Sequence, residues 1–161
     1  LPNGKGVLFT VWSGALESTQ LAVHEFATGR HRILSSGTQP RYVPTGHVLF
    51  TEGFALYAAP FDIDRLELTG DAVPIADNVE VNPTGAGQFA VTPHGNGILG
   101  YVVSSGTGGR DSLVWVDRTG EVGETAIADP ERGLAAFRLS PDGNRVLVQT
   151  AQPRGELWVY I

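Results

Sequence analysis

A proline-led turn followed by an apolar strand returns four times in these 161 residues, and a period of this kind leaves few folds open. The clearest copy is Leu139 to Val148, Leu-Ser-Pro-Asp-Gly-Asn-Arg-Val-Leu-Val. Pro141 presets φ at the second position of a tight turn, Asp142 suits the third, and Gly143 takes the left-handed conformation that closes a short hairpin. Before it, Phe137 and Leu139 alternate with Arg138 and Ser140 as in a strand. After it, Val146-Leu147-Val148 is a continuous apolar run, which predicts a strand covered on both faces.

The other copies are Leu1-Pro2-Asn3-Gly4, Val43-Pro44-Thr45-Gly46 and Thr92-Pro93-His94-Gly95, so the turn prolines fall at intervals of about 42, 49 and 48 residues. Each turn leads into an apolar strand: Val7-Leu8-Phe9-Thr10, Val48-Leu49-Phe50-Thr51, Ile98-Leu99-Gly100-Tyr101 and Val146-Leu147-Val148-Gln149. A further strand follows in every unit, at Leu21 to His24, Leu56 to Ala59, Leu113 to Val116 and Leu157 to Tyr160. Thr-Gly turns at Thr28-Gly29, Thr69-Gly70 and Thr119-Gly120 then lead to a weak outer strand such as Arg32 to Leu34 or Val73 to Ile75, where Pro74 is tolerated at an edge.

Four short strands per repeat predict an all-β chain, a partial β-propeller of about 3.5 four-stranded antiparallel blades. The repeats run over about 1–37, 38–79, 80–131 and 132–161 of one propeller fragment. The phase leaves the first blade without its inner strand and the last without its outer one. Closed propellers have about four to eight blades, so missing blades or self-association are expected to cover the open edges.

Composition narrows the partners. A net charge of −6 with a single lysine, Lys5, excludes a phosphate-backbone partner, so no nucleic acid is expected. The longest apolar runs fall far short of a membrane span. The absence of cysteine excludes disulfides and thiolate metal sites and leaves the redox compartment open.

Ser140-Pro141-Asp142-Gly143 with its apolar strand and Leu157-Trp158-Val159-Tyr160 resembles the TolB-type, WD-repeat-like propellers of bacteria. The stretches Leu56 to Asp71 (through Pro60-Phe61-Asp62-Ile63-Asp64-Arg65-Leu66), Gln88 to Gly95 and Leu113 to Gly120 are similar to the propeller C-terminal to the membrane span of many bacterial eukaryotic-like serine/threonine kinases. The chain departs from that pattern at Asn3 and Thr45, which replace the turn aspartate, and it lacks the Trp-Asp dipeptide of WD repeats. The resemblance implies a non-catalytic, extracytoplasmic module for sensing or binding. Kinase motifs are absent from this chain. A gating propeller of a prolyl-oligopeptidase-type hydrolase and a TolB-like periplasmic scaffold are the alternatives.

In propellers the loops from second to third strand and from outer to next inner strand share one face. Here Ser13 to Gln20, Ser104 to Ser112 and Ala151 to Glu156 are the long ones, and that face is expected to take a protein partner or small ligand. Its charged residues, Glu17, Arg110, Asp111, Arg154 and Glu156, are the candidate binding residues; no catalytic residue, metal site or cofactor is expected. Asp62, Asp64 and Asp71 lack the glycine and terminal glutamate of a calcium loop. Gly106 to Asp111 leads into a strand rather than the helix of a phosphate loop. His24, His31, His47 and His94 are dispersed, and no Gly-x-Ser-x-Gly elbow occurs. Trp12, Trp115, Trp158 and Tyr57 read as packing residues between blades. Gln39 and Gln88 sit on the innermost strands, facing a channel or satisfying backbone groups.

Overall fold

The computed structural model describes residues 1–14, 18–82, 85–92, 98–104, 112–116, 121–128, 134–150 and 156–161. Strands and turns account for nearly all of them, and no helix among them is long and apolar enough to cross a membrane. Sheet 1 holds β1 (Gly6–Val11), β2 (Gln20–Glu25) and β3 (His31–Ser36) in that order. Sheet 2 holds β4 (Thr38–Val43), β5 (His47–Glu52), β6 (Ala55–Asp62), β7 (Glu67–Leu68) and β8 (Val73–Ala76). Sheet 3 holds β9 (Phe89–Val91), β10 (Leu99–Val103), β11 (Ser112–Val116) and β12 (Val122–Ala128). Sheet 4 holds β13 (Leu134–Leu139), β14 (Val146–Thr150) and β15 (Leu157–Tyr160). Every pairing is antiparallel, and the chain forms the all-β partial propeller its period predicts.

The chain divides into two compact units. Unit 1, Leu1–Asp77 with Val81–Gly87, packs sheets 1 and 2 around Leu21, Val23, Val48, Phe50, Ala59, Phe61 and Leu66. Unit 2, Asn78–Glu80 with Gln88–Ile161, packs sheets 3 and 4 around Val102, Leu113, Ile127, Phe137, Val146 and Val148. Core members on one strand alternate as the pleat requires, Leu21 with Val23, Val48 with Phe50 and Val146 with Val148, while β2 and β5 are covered on their other face as well, with Ala22, Leu49 and Thr51 buried.

The turn before β14 has the chemistry read from its residues. Gly143 adopts φ +73°, its N–H bonds Ser140 O at 2.9 Å, and the Asp142 carboxylate accepts from the Asn144 N–H at 3.1 Å and from the Ser140 hydroxyl. The Ser140 hydroxyl bond, followed by the Asn144 amide, holds the Asp142 carboxyl below its ordinary 3.8. A lowered folded-state pKa stabilises above the unfolded value and is lost as pH falls through the folded one. Asp142→Ala is therefore expected to lower the thermal midpoint at neutral pH and to match the parent once pH falls below the depressed pKa. Paired melting curves across the acid range check this.

Three expectations are corrected. Val146-Leu147-Val148 is not covered on both faces: Val146 and Val148 are buried while Leu147 is 39% exposed, because sheet 4 has a packing partner on one side only among the described residues. The alignment of Ile98 to Tyr101 with Val146 to Gln149 is off by one. Thr92 bonds Ile98 where Ser140 bonds Arg145, so the third turn is one residue longer, and Gly100, paired with Trp115, is the counterpart of Leu147, paired with Val159. Lastly, Thr69-Gly70 does not join β6 directly to the outer strand. The Asp62 carboxylate accepts the Asp64 and Arg65 N–H groups at 2.8 and 2.9 Å, turning the chain back so that β7 pairs with Phe61 and Asp62 before β8 pairs further along β6. Thr119-Gly120 lies outside the described residues.

Candidate binding site at the long-loop end of unit 1

The inner strand β4 begins abruptly, because a single residue, Gly37, joins it to β3. Gly37 has φ +118° and donates its N–H to the carbonyl of buried Thr19 at 3.1 Å. The next turn of backbone is irregular too. Register slips between Thr38 and Arg41, as in a bulge, and Gln39 sits at φ +55°, a conformation a non-glycine residue enters at a cost of about 1–2 kcal/mol. The Thr10 hydroxyl, on β1, accepts the Gln39 N–H at 2.9 Å and fixes this bulge.

Beside it lies a buried polar cluster. Thr38 and Thr51, directly paired across β4 and β5, bring their hydroxyls to 2.9 Å, and Thr38 also donates to the carbonyl of Gly85. That carbonyl belongs to a tight loop in which Asn82 N–H bonds Ala86 O at 3.0 Å and the Asn82 side chain accepts the Ala86 N–H at 3.0 Å. Gly87 closes onto Thr51, where any Cβ would overlap the threonine methyl.

Every member of this cluster is satisfied except one. The side-chain oxygen of Gln39 is buried and meets no donor among the described residues. Leaving a buried acceptor unmade costs about 1–3 kcal/mol. Together with the left-handed backbone, the position stores strain that the fold over-determines, which is how ligand-clamping residues are held. Chemically the arrangement holds a carbonyl acceptor buried from solvent.

Of the residues expected on the long-loop face, Glu17, Arg110, Asp111 and Arg154 lie outside the described residues. Glu156 is exposed just before β15; its carboxylate accepts the Trp158 ring N–H at 3.2 Å and its N–H bonds the Thr150 hydroxyl at 3.1 Å. Gln88 donates its backbone N–H to Glu80 O at 2.7 Å, and its carbonyl accepts the Val102 N–H at 2.9 Å, in unit 2. Asp62 is an Asx turn and Asp64 pairs with Lys5 at 2.8 Å, so these acids organise turns. His24 meets Phe26, His31 meets Phe9 and His47 meets Thr45, and among the described residues no three His, Asp or Glu converge on a metal-sized space. His94 falls outside them. Tyr57 and Trp115 pack on the cores, whereas Trp12 and Trp158 stand half exposed, against the packing expectation.

Thr38, Thr51 and Gly85 were not singled out from sequence. Thr38 and Thr51 occupy alternating strand positions, where a buried hydroxyl reads the same as an exposed one. Gln39 carried a signal only through its place five residues before the turn proline.

No protein-family model and no curated protein matches the sequence. Solved structures do. TolB from Acinetobacter baumannii superposes with a TM-score of 0.69 at 14% identity over 98% of this chain and 38% of its own. Kuenenia stuttgartiensis hydrazine synthase superposes with a TM-score of 0.60 at 19% identity over 92% of this chain and 41% of its own. The chain has a TolB-like propeller fold. It spans about two fifths of the length of either structure.

Proposed function

We propose that this propeller piece is a non-catalytic recognition module whose long-loop end binds a protein partner or small ligand bearing N–H or O–H donors. The observation that supports the reading is the buried Gln39 oxygen, on a left-handed residue and without a donor among the described residues. On this reading repeats at about 1–37, 38–79, 80–131 and 132–161 act as blades of one disk, and Glu17, Arg110, Asp111, Arg154 and Glu156 form the charged rim of the recognition face. The similarity of Leu56 to Asp71 and of Leu113 to Gly120 to kinase-associated propellers supports a place outside the cytoplasm, as the sensory part of a receptor-type serine/threonine kinase. A reading frame with a kinase domain and membrane span upstream would support that parentage, and a downstream Gly-x-Ser-x-Gly would replace it with a hydrolase.

Gln39→Gly tests the site itself. Glycine accepts φ +55° without penalty and removes the orphaned acceptor, so the variant is expected to be more stable by about 1–2 kcal/mol while losing ligand capture. Urea denaturation reads the first effect. Comparison of peptides and glycans retained by immobilised parent and variant reads the second. Equal retention by both, or turnover of any of these compounds by the parent, sinks the proposal.

A further inference from the structure

The excursion after β6 is longer than its counterparts. Residues 26–30 join β2 to β3 and 117–121 join β11 to β12, whereas 63–72 separate β6 from β8 and hold β7 between them. The excursion is closed on its own strand by the pairs Phe61 with Leu68 and Asp62 with Glu67, and by the Thr69 N–H on Pro60 O at 2.9 Å. At its tip Leu66 is left-handed, φ +58°, and only 1% exposed. A leucine stays in that conformation only where its surroundings over-determine it.

Those surroundings belong to sheet 1, which the excursion grips at both edges. From the turn before β1, the Asn3 amide donates to Ile63 O at 2.7 Å and the Lys5 ammonium meets the Asp64 carboxylate at 2.8 Å. From β3, the Arg32 guanidinium donates to Arg65 O and stands 4.0 Å from the Glu67 carboxylate, which Arg65 meets at 2.8 Å. Between the two grips Leu66 closes over Gly6 of β1, its δ methyl 3.4 Å from where a Cβ would sit, and joins the core shared by sheets 1 and 2 with Ile63 and Leu68 packed beside it. Exposed ion pairs contribute little, so the leucine plug does most of the holding.

At the other end of the same two sheets, sheet 1 also fixes the start of β4. The Thr10 hydroxyl accepts the Gln39 N–H at 2.9 Å and the Thr19 carbonyl accepts the Gly37 N–H at 3.1 Å. We propose that residues 62–68 are a clasp holding sheet 1 on sheet 2, and that opening the clasp parts the two sheets and frees the Gln39 bulge at the far end while sheet 2 stays folded. The clasp is thus a conformational control on the backbone at Gln39, and it stands whether or not that residue meets a ligand.

Hydrogen exchange of the 161-residue chain, resolved amide by amide by NMR, tests this. In the parent, the slowest amides of β1 and β2 and those of Gly37 and Gln39 are expected to share one protection factor, below that of β5 and β6, as a separately opening unit does. Leu66→Ala keeps the Cβ and removes the plug, and is expected to lower the shared factor about a hundredfold. Arg32→Ala leaves the core filled and is expected to lower it about threefold. Gly53→Ala strains only the turn between β5 and β6, so it is expected to lower those two strands alone, about fivefold. Equal protection of all four strands in the parent overturns the proposal, as does a shared factor that neither Leu66→Ala nor Arg32→Ala moves. Loss of protection in β1 and β2 with Gln39 unmoved shows two ends that open separately, and overturns the coupling.

Discussion

Gly37→Ala is expected to destabilise the chain by about 2–4 kcal/mol, one of the largest effects open to a single methyl group in this fold. Two costs add. The backbone at φ +118° lies where an L side chain is strained, and the added Cβ would sit 2.7 Å from the Phe50 ring and 2.9 Å from the Thr51 carbonyl oxygen. Neither neighbour yields easily: Phe50 is 1% exposed in the core of unit 1, and the Thr51 carbonyl is sheet backbone. Gly53→Ala separates the two costs, because Gly53 also has positive φ, +59°, yet nothing lies within 4 Å of its would-be Cβ. It is expected to lose only about 1 kcal/mol. Urea midpoints at constant m-value give both numbers, and equal losses at the two sites would refute the steric part of the argument.

Phe50→Ala is expected to cost about 3–5 kcal/mol, the range for emptying a buried aromatic site. The ring fills the middle of the unit 1 core and stacks on Tyr57 with centroids 5.7 Å apart and planes 18° from parallel. Its loss opens a cavity beside Gly37, which ties the two predictions together. With the ring gone, the alanine methyl at position 37 meets one obstacle fewer, so Gly37→Ala is expected to cost less in the Phe50→Ala background than in the parent. Strict additivity in that double-mutant cycle would mean that the Phe50 contact does not contribute to the glycine requirement.

Much of the fold was legible because its causes are local. Proline, aspartate and glycine at Pro141, Asp142 and Gly143 specify a turn wherever they occur in this order, and apolar stretches such as Val48 to Phe50 specify strands of limited length. The candidate site was legible only at Gln39, and there only by position. Its buried oxygen meets no donor among the described residues, and in the neighbouring cluster Gly85 reaches Thr38 from 47 residues away. No local pattern records such a meeting. The same holds for the charged residues expected on the long-loop face, of which Glu156 lies among the described residues and bonds the Thr150 hydroxyl.

The sequence by itself determined the period, the strand and turn alternation, and hence the β-propeller architecture, since each follows from φ preferences and side-chain spacing within a few residues. Only the tertiary structure decided which side of an apolar strand is covered, as at Leu147. It alone showed that the third turn carries one extra residue, that Asp62 folds the chain back into an added strand, and that Gln39 is held left-handed with its oxygen meeting no donor among the described residues. Those outcomes depend on register and on neighbours brought from distant repeats, and a strand shifted by one residue exchanges its two faces without changing its local sequence.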